Sequence, residues 1–276
     1  MGQRPGAGPP EVPGDGGAMT RRSLLALPVL LALAGCASSP IPARAAATSV
    51  LLIGDSITRQ ADMDAFAAAA GVPLSALYNA GANGTTTRDW LPGHPYLTQA
   101  LAAAQARGIT DVAILSLGTN DAKGTPGLGF SALEVRNNLA AIATGLRQAG
   151  YRWVLLSAAP YVVPGSGGGA WDALSPTRIA SYNARLDEAA AMVGAGGVSV
   201  GEREAFDFFY SHPERLADGV HPDAAGQWWL SDRRGQAVRW AGGGEAIVPE
   251  GESALLILFF FAFLAGGLYR RRVWEV

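Results

Sequence analysis

The feature that most constrains the fold of this chain is a regular alternation of short apolar runs with longer helix-like segments between residues 48 and 240. Short apolar runs that end in glycine or polar residues are typical of buried strands, and longer segments closed by glycine are typical of helices. Strands that alternate with helices favour a parallel sheet covered on both faces. The predicted strands are 48–53, 74–79, 112–117, 153–158 and 198–201, and the predicted helices are 62–70, 96–107, 131–149, 176–193 and 223–240.

Short polar motifs follow successive predicted strands. Gly54-Asp55-Ser56-Ile57 follows the first strand, the glycine-rich turn Ala80–Gly84 follows the second, and Gly118-Thr119-Asn120-Asp121 follows the third. In parallel α/β sheets ligands bind beyond the carboxyl ends of the strands. We therefore expect Ser56, the glycine-rich turn and Asn120 to lie at one edge of the sheet.

A serine becomes a useful nucleophile only when a base lies within hydrogen-bond reach and a further group orients that base. Of the chain's three histidines, only His221 has a carboxylate three residues before it within a turn-forming Asp-Gly, in Asp218-Gly219-Val220-His221-Pro222. His94 and His212 each precede a proline and are predicted to be loop residues. The pattern favours His221 as the base.

Asp218 is the predicted orienting carboxylate, and the alternatives are Asp207 and Asp223. An Asp-Gly pair can also form a turn with no catalytic role. Ser56 has an alternative role as the N-cap of a helix that follows the first strand, and the two roles are compatible.

Acyl transfer also needs hydrogen-bond donors that face the developing oxyanion. The backbone N–H groups of Ser56 and Gly84 and the side-chain amide of Asn120 are the candidates. Ordinary turn roles remain open for Gly81, Gly84 and Asn120, because glycine and asparagine are common in turns.

These motifs together resemble the sequence blocks of the SGNH (GDSL) hydrolase superfamily. The four blocks are Gly54-Asp55-Ser56, Asn79–Gly84, Gly118–Asp121 and Asp218–His221, and the resemblance extends over residues 48–240. It implies a flavodoxin-like three-layer α/β/α sandwich with a five-stranded parallel sheet.

The resemblance also implies the role of each site residue. Ser56 is then the nucleophile and first oxyanion donor, Gly84 and Asn120 are the second and third donors, and His221 and Asp218 complete the triad. Gly84 is preferred to Gly81 because the donor glycine of the family stands just before a turn such as Thr85-Thr86. No metal or nucleotide motif is present, and we expect no cofactor.

Composition narrows the range of partners. A formal net charge of −2 over 276 residues gives no reason to expect nucleic acid. The single cysteine, Cys36, rules out an internal disulfide framework and a cysteine-rich metal site.

The N-terminal region has the pattern of an export signal. Met19 is the predicted start, followed by Arg21-Arg22, an apolar run from Leu24 to Leu33, and Leu33-Ala34-Gly35-Cys36. The last four residues resemble the lipobox of bacterial lipoproteins, which implies lipidation of Cys36. The alternative is an ordinary signal peptide cut after Ala45 or Ala47.

The C-terminal region has a second apolar segment, 254–268, followed by Arg270-Arg271-Arg272. A helix over this segment would be about 23 Å long, somewhat shorter than the hydrocarbon core of a bilayer. With Val248-Pro249-Glu250 before it, the region resembles the PEP-CTERM sorting tails that a membrane protease reads, although Gly251 replaces their usual second proline. The alternative is a simple membrane anchor.

We therefore divide the chain into an N-terminal extension with its signal segment (1–47), a hydrolase domain (48–240), a linker (241–253) and a membrane or sorting tail (254–276). The expected function is an extracytoplasmic serine esterase that removes short acyl groups, acetyl among them, from a small molecule or a polysaccharide. The alternatives are an envelope polysaccharide O-acyltransferase with the same triad and a non-catalytic envelope binding protein. Trp90, Trp171 and Tyr161 are candidates for lining the pocket, with ordinary packing as the alternative.

Overall fold

The structure is a computed structural model that describes residues 46–124, 129–194 and 196–241. The predicted lipidation site Cys36, the export signal and the C-terminal apolar tail lie outside these residues. Within them, no helix is both long enough and apolar enough to cross a bilayer.

The core of the domain is a parallel sheet of five strands with the order β2-β1-β3-β4-β5. The strands are β1 (Val50–Gly54), β2 (Leu77–Asn79), β3 (Val112–Ser116), β4 (Trp153–Leu156) and β5 (Val198–Val200). Each lies within a predicted strand or within one residue of it, except that 74–76 form a 3₁₀ turn before β2. The five-stranded parallel sheet is therefore confirmed.

The helices cover both faces of the sheet. They are α1 (Ser56–Arg59), α2 (Met63–Ala70), α3 (Pro95–Gln105), α4 (Ala132–Gln148), α5 (Ser166–Gly169, a single distorted turn), α6 (Ser175–Asn183), α7 (Leu186–Met192), α8 (Ala205–Ser211) and α9 (Ala224–Ala241). Because side chains alternate along a strand, Val50 and Leu52 pack with Phe66 of α2 and Val238 of α9. The intervening residues of β1 pack toward α3, α4 and α6. The result is the predicted three-layer sandwich.

Local sequence signals explain where the helices begin and end. Ser131 and Glu134 form a capping box at the start of α4, and Asp62 caps α2 through the N–H of Ala65. Gly71 ends α2 with a φ of 72°, a conformation that glycine adopts without steric cost.

Two parts of the fold differ from the sequence prediction. The single predicted helix over 176–193 is divided into α6 and α7, and the break follows Asn183, whose amide exchanges two hydrogen bonds with the backbone of Ala159. The short helices α5 and α8 were not predicted. The glycine-rich segment that contains α5 is held in place, because the N–H of Val163 donates to the carbonyl of Gly219.

Candidate active site

Ser56 stands at the carboxyl end of β1, as the first residue of α1. The helix is capped by Asp55, whose carboxylate accepts a hydrogen bond from the N–H of Ile57 at 2.9 Å. The alternative prediction of Ser56 as the N-cap is therefore wrong. The division of roles leaves the Ser56 hydroxyl free for another partner.

That partner is His221. The Nε2 atom of the imidazole lies 2.8 Å from Oγ of Ser56, and Nδ1 lies 2.8 Å from Oδ2 of Asp218. The structure thus brings the three predicted residues into one hydrogen-bonded row, although His221 is 165 positions from Ser56 in the chain. The side chains stay open to solvent, with 27% exposure for His221 and 58% for Asp218.

Asp218 also shapes the loop that carries His221. Its Oδ1 atom accepts hydrogen bonds from the N–H groups of Val220 (3.0 Å) and His221 (2.8 Å), and Gly219 between them has a φ of 81°. Partial burial tends to raise the pKa of Asp218, but these N–H donors and the His221 ring outweigh it and lower the pKa below its usual value. The carboxylate is therefore held ionised beside the imidazole.

Two side-chain hydrogen bonds hold the turn that contains Gly84. The amide of Asn79 donates to the carbonyl of Thr58 in α1 at 2.7 Å, and the amide of Asn120 donates to the carbonyl of Thr85 at 3.0 Å. A primary amide has two N–H donors, so one donor of Asn120 remains for a ligand.

The two glycines of this turn do different work. A Cβ atom on Gly81 would lie 2.4 Å from the backbone nitrogen of Arg59, so Gly81 permits close packing against α1. Gly84 has open space around it but a φ of 75°, which fixes the direction of its N–H. Within the described chain, the N–H groups of Ser56 and Gly84 donate to no other residue.

Buried residues brace this turn, a role that was not predicted for them from the sequence. Asp121 is fully buried, and its carboxylate accepts hydrogen bonds from both the N–H and the hydroxyl of Thr87. Burial raises the pKa of Asp121 to about 6, against the lowering effect of these donors. The indole N–H of Trp90 donates to Oγ1 of Thr85 at 3.0 Å, so Trp90 packs beneath the turn and does not line a pocket.

A second buried group lies under the strand ends. The guanidinium of Arg234, on α9, is 2% exposed and donates to the hydroxyls of Ser116 at 2.5 Å and Ser157 at 3.1 Å. Ser157 in turn donates to Glu202 at 3.0 Å. Burial raises the pKa of Asp55 and of Glu202, and the nearby positive charge of Arg234 opposes both shifts. Arg234 stands in the polar sequence Asp232-Arg233-Arg234, which offers no sign that one of these residues is buried.

The remaining predicted residues lie apart from the row. His94 precedes α3, and His212 follows α8 and stacks on Phe208. Asp223 caps α9 through the N–H of Gly226, and Asp207 lies on α8. The fallback carboxylates are therefore not needed to explain the contacts of His221.

The other two aromatic candidates also serve packing. Trp171 is 7% exposed and donates its indole N–H to the carbonyl of Thr119 at 3.3 Å. Tyr161 packs edge-on against Phe206 and Tyr210.

A cavity of about 330 Å³ borders the Gly84 turn. Gly84 and Asn120 line it together with Arg88, Lys123 and Phe130. In the described part of the chain, no cluster of three or more histidine, cysteine or acidic side chains is placed to hold a metal ion. The site therefore combines the Ser56 hydroxyl, bonded to the imidazole of His221, with N–H donors beside an open cavity.

A hydrogen-bonded serine, histidine and aspartate at the carboxyl edge of a parallel α/β sheet define a serine hydrolase, and this chain is one that acts on ester bonds. The sequence model of the GDSL-like lipase/acylhydrolase family matches residues 52–229, and the chain belongs to that family.

Solved structures share the fold. A lipase/acylhydrolase from Enterococcus faecalis is 23% identical, with a TM-score of 0.52 over 71% of this chain and 96% of that chain. A GDSL-like lipase from Bacteroides thetaiotaomicron is 18% identical, with a TM-score of 0.52 over 70% and 89%. A carbohydrate acetylesterase family member from Sinorhizobium meliloti is 17% identical, with a TM-score of 0.51 over 71% and 100%. No curated protein matches the sequence.

Proposed function

We propose that Ser56 is the nucleophile of this esterase, that His221 is its general base and that Asp218 orients His221. The observation that carries the proposal is the 2.8 Å contact between Nε2 of His221 and Oγ of Ser56, with Asp218 at 2.8 Å on the other side of the ring. His221 takes the hydroxyl proton as Ser56 attacks the ester carbonyl, and then gives that proton to the departing alcohol. Asp218 stabilises the imidazolium that forms in between.

The oxyanion of the tetrahedral intermediate is bound by the N–H groups of Ser56 and Gly84 and by the free N–H of the Asn120 amide. Their availability supports this assignment, because neither backbone N–H donates to another described residue. Donors that are already in place need no reorganisation when the charge develops. Water then attacks the acyl-enzyme, with His221 again as the base.

The acyl group is proposed to be short, with acetyl as the leading candidate. The cavity beside Gly84 is about 330 Å³ and is lined in part by the charged side chains of Arg88, Asp89 and Lys123. Seating a long alkyl chain there would desolvate those charges at a large cost. A short acyl group, or a polar one, avoids that cost.

The enzyme is proposed to act outside the cytoplasm, attached to a membrane, on a small or polysaccharide ester of the cell envelope. The support comes from the two termini, where Cys36 stands in a lipobox-like sequence and Arg270–Arg272 follow an apolar segment. The C-terminal segment is then either an anchor or a tail removed by a sorting protease.

Mass spectrometry of both ends of the mature protein tests the location. A diacylglyceryl group on Cys36 is the expected N-terminal result. An unmodified chain that begins at Met1 or Met19 would contradict export. Finding Arg270–Arg272 intact would exclude removal of the tail.

The catalytic proposal is tested with Ser56→Ala in the full-length protein, assayed on a chromogenic acetyl ester. Loss of the nucleophile is expected to lower kcat by roughly 10⁶-fold. The matched control is Ser181→Ala on α6. Among the described residues the Ser181 hydroxyl bonds only to the carbonyl of Arg178, and its loss should leave kcat unchanged. Full activity in Ser56→Ala would refute the triad.

Two further measurements separate the alternatives. A fluorophosphonate probe is expected to label wild-type protein but not Ser56→Ala, and the absence of labelling in folded wild-type protein would favour a binding protein. Product analysis with a sugar acceptor distinguishes free acid, expected from an esterase, from acylated sugar, expected from a transferase.

A further inference from the structure

The chain has 21 lysine and arginine residues, and only Lys123 is a lysine. It follows Asn120 by three positions and lines the cavity that Gly84 and Asn120 border. The one lysine ammonium group of the sequence therefore stands beside the donors proposed to bind the oxyanion. A lysine differs from arginine in being a compact point charge on a flexible stem.

Lys123 is held by an aromatic ring rather than by a carboxylate. Its Nζ atom lies 4.8 Å from the ring centroid of Trp171, and the indole N–H of that ring is bonded to the carbonyl of Thr119. Within the described residues, no carboxylate oxygen comes within ion-pair distance of Lys123. A partly buried ammonium without a counter-ion is well placed to receive one from a ligand.

The acidic side chains nearby already have other partners. Asp172, which packs against Gly124, pairs with Arg178 at 2.8 Å. Asp89 lines the same cavity, but its Oδ2 accepts hydrogen bonds from the N–H and the hydroxyl of Thr86. None of these contacts neutralises Lys123.

Arg88 is the second cation of the cavity. Its guanidinium lies 4.3 Å from the ring centroid of Phe130 and pairs with Glu134 at 3.1 Å. Because Glu134 already pairs with Arg88, Lys123 is the cation of the cavity wall that has no carboxylate partner among the described residues. A single unpaired positive charge matches a monoanion better than a phosphate, which carries about −1.5 to −2 at neutral pH.

We propose that this cavity is a subsite for a carboxylate group carried by the ester substrate, and that Lys123 is its ionic anchor. The inference rests on the proposed esterase function and names the class of substrate. The carboxylate belongs either to the acyl part, as in a half-ester of a dicarboxylic acid, or to the alcohol part, as in an acetylated uronate. In both cases the pair forms beside the scissile ester.

The two sources are separated by two pairs of esters that differ only in charge. Monoethyl succinate is compared with ethyl succinamate for the acyl part, and an acetylated methyl glucuronoside with the acetylated methyl glucoside for the alcohol part. We expect wild-type protein to prefer the anionic member of one pair by roughly ten-fold in kcat/KM, mainly through a lower KM. A partly buried ion pair at about 4 Å supplies enough binding energy for a change of that size. The preference should shrink in 0.5 M NaCl.

The variants are Lys123→Met, Lys123→Arg and the control Arg107→Met. Lys123→Met should abolish the preference by lowering kcat/KM for the anionic ester about ten-fold more than for its neutral partner, and Lys123→Arg should keep most of the preference. Arg107 is exposed and stacks on Tyr78. Arg107→Met therefore removes the same charge outside the cavity and should leave the preference for the anionic ester unchanged. An equal loss on neutral and anionic esters in Lys123→Met would overturn the proposal.

Failure of this inference differs from failure of the proposed function. Ser56-dependent turnover of neutral esters with no preference for either anion would refute the subsite and leave the esterase intact. Calorimetric binding of the same esters to Ser56→Ala does not depend on turnover. Tighter binding of one anionic ester that Lys123→Met abolishes would support the subsite, and equal binding of both members of each pair would refute it.

Discussion

The reacting side chains and the charged residues beneath them differ sharply in exposure. His221 and Asp218 are open to solvent, whereas Asp121 and Arg234 are at most 2% exposed. An ester must reach the first group, and open side chains contribute little to stability because water can replace their contacts. The second group holds the strand ends and turns in place at a cost in desolvation. Substitution of His221 or Asp218 should therefore change activity with little effect on stability. Substitution of Asp121 or Arg234 should change stability.

Among substitutions that keep the Ser56 hydroxyl, the largest expected effect is on activity, from Asp218→Asn. The neutral amide can still accept the N–H groups of Val220 and His221, so the loop should keep its shape and the melting temperature should change little. The imidazolium loses its negative partner, and kcat should fall by roughly 10⁴-fold. Asp223→Asn, which can still cap α9, is the control with unchanged kcat. A large loss of stability in Asp218→Asn would contradict the contrast between the exposed catalytic side chains and the buried charged ones.

The largest expected effect on stability comes from Arg234→Met. It would leave Glu202 and Asp55 buried without their cation, and breaking a buried pair in this way costs about 3–5 kcal/mol of unfolding free energy. Arg233→Met, on the adjacent, more exposed residue, should cost about 1 kcal/mol or less. Urea unfolding at pH 7 measures both. Because the pKa values of Glu202 and Asp55 are raised, the cost should shrink in acid, and a pH-independent cost would contradict the assignment.

Arg234 also marks the limit of what the sequence could predict. The strands follow from local patterns. The row of Ser56, His221 and Asp218, whose Ser56–His221 contact joins residues 165 positions apart, follows from the resemblance of the motifs to those of a known family. Arg234 sits in a polar run on a helix, and only the packing of α9 against the sheet reveals that it is buried. The same reason accounts for the break after Asn183, which depends on a contact with Ala159, 24 positions away.

Asn120 tests whether one buried side chain can both support the structure of the site and take part in catalysis. It is 4% exposed, holds the Gly84 turn through the carbonyl of Thr85, and is proposed to donate to the oxyanion. Asn120→Ala should lower kcat by roughly 100- to 1,000-fold. Thr85→Val removes the bond from Trp90 to the same turn without touching the amide, and should cost stability with little loss of kcat. Similar losses of kcat in both variants would mean that Asn120 acts only by bracing the turn.

The most gradual expected effect is a dependence of stability on pH that originates in Asp121. Burial raises its pKa from 3.8 to about 6 in the folded protein, so the folded state binds more protons than the unfolded state between these values. Stability must therefore fall as the pH rises through this window, by about 3 kcal/mol at 1.36 kcal/mol per pKa unit. The Asp121→Asn side chain cannot ionise but can still accept a hydrogen bond from Thr87. The unfolding free energy of the variant should therefore increase relative to that of the wild type as the pH rises from 4 to 7. Urea titrations of both proteins across this range measure the difference directly. A constant difference would show that Asp121 is ionised in the fold throughout, with Thr87 and its neighbours fully compensating the buried charge.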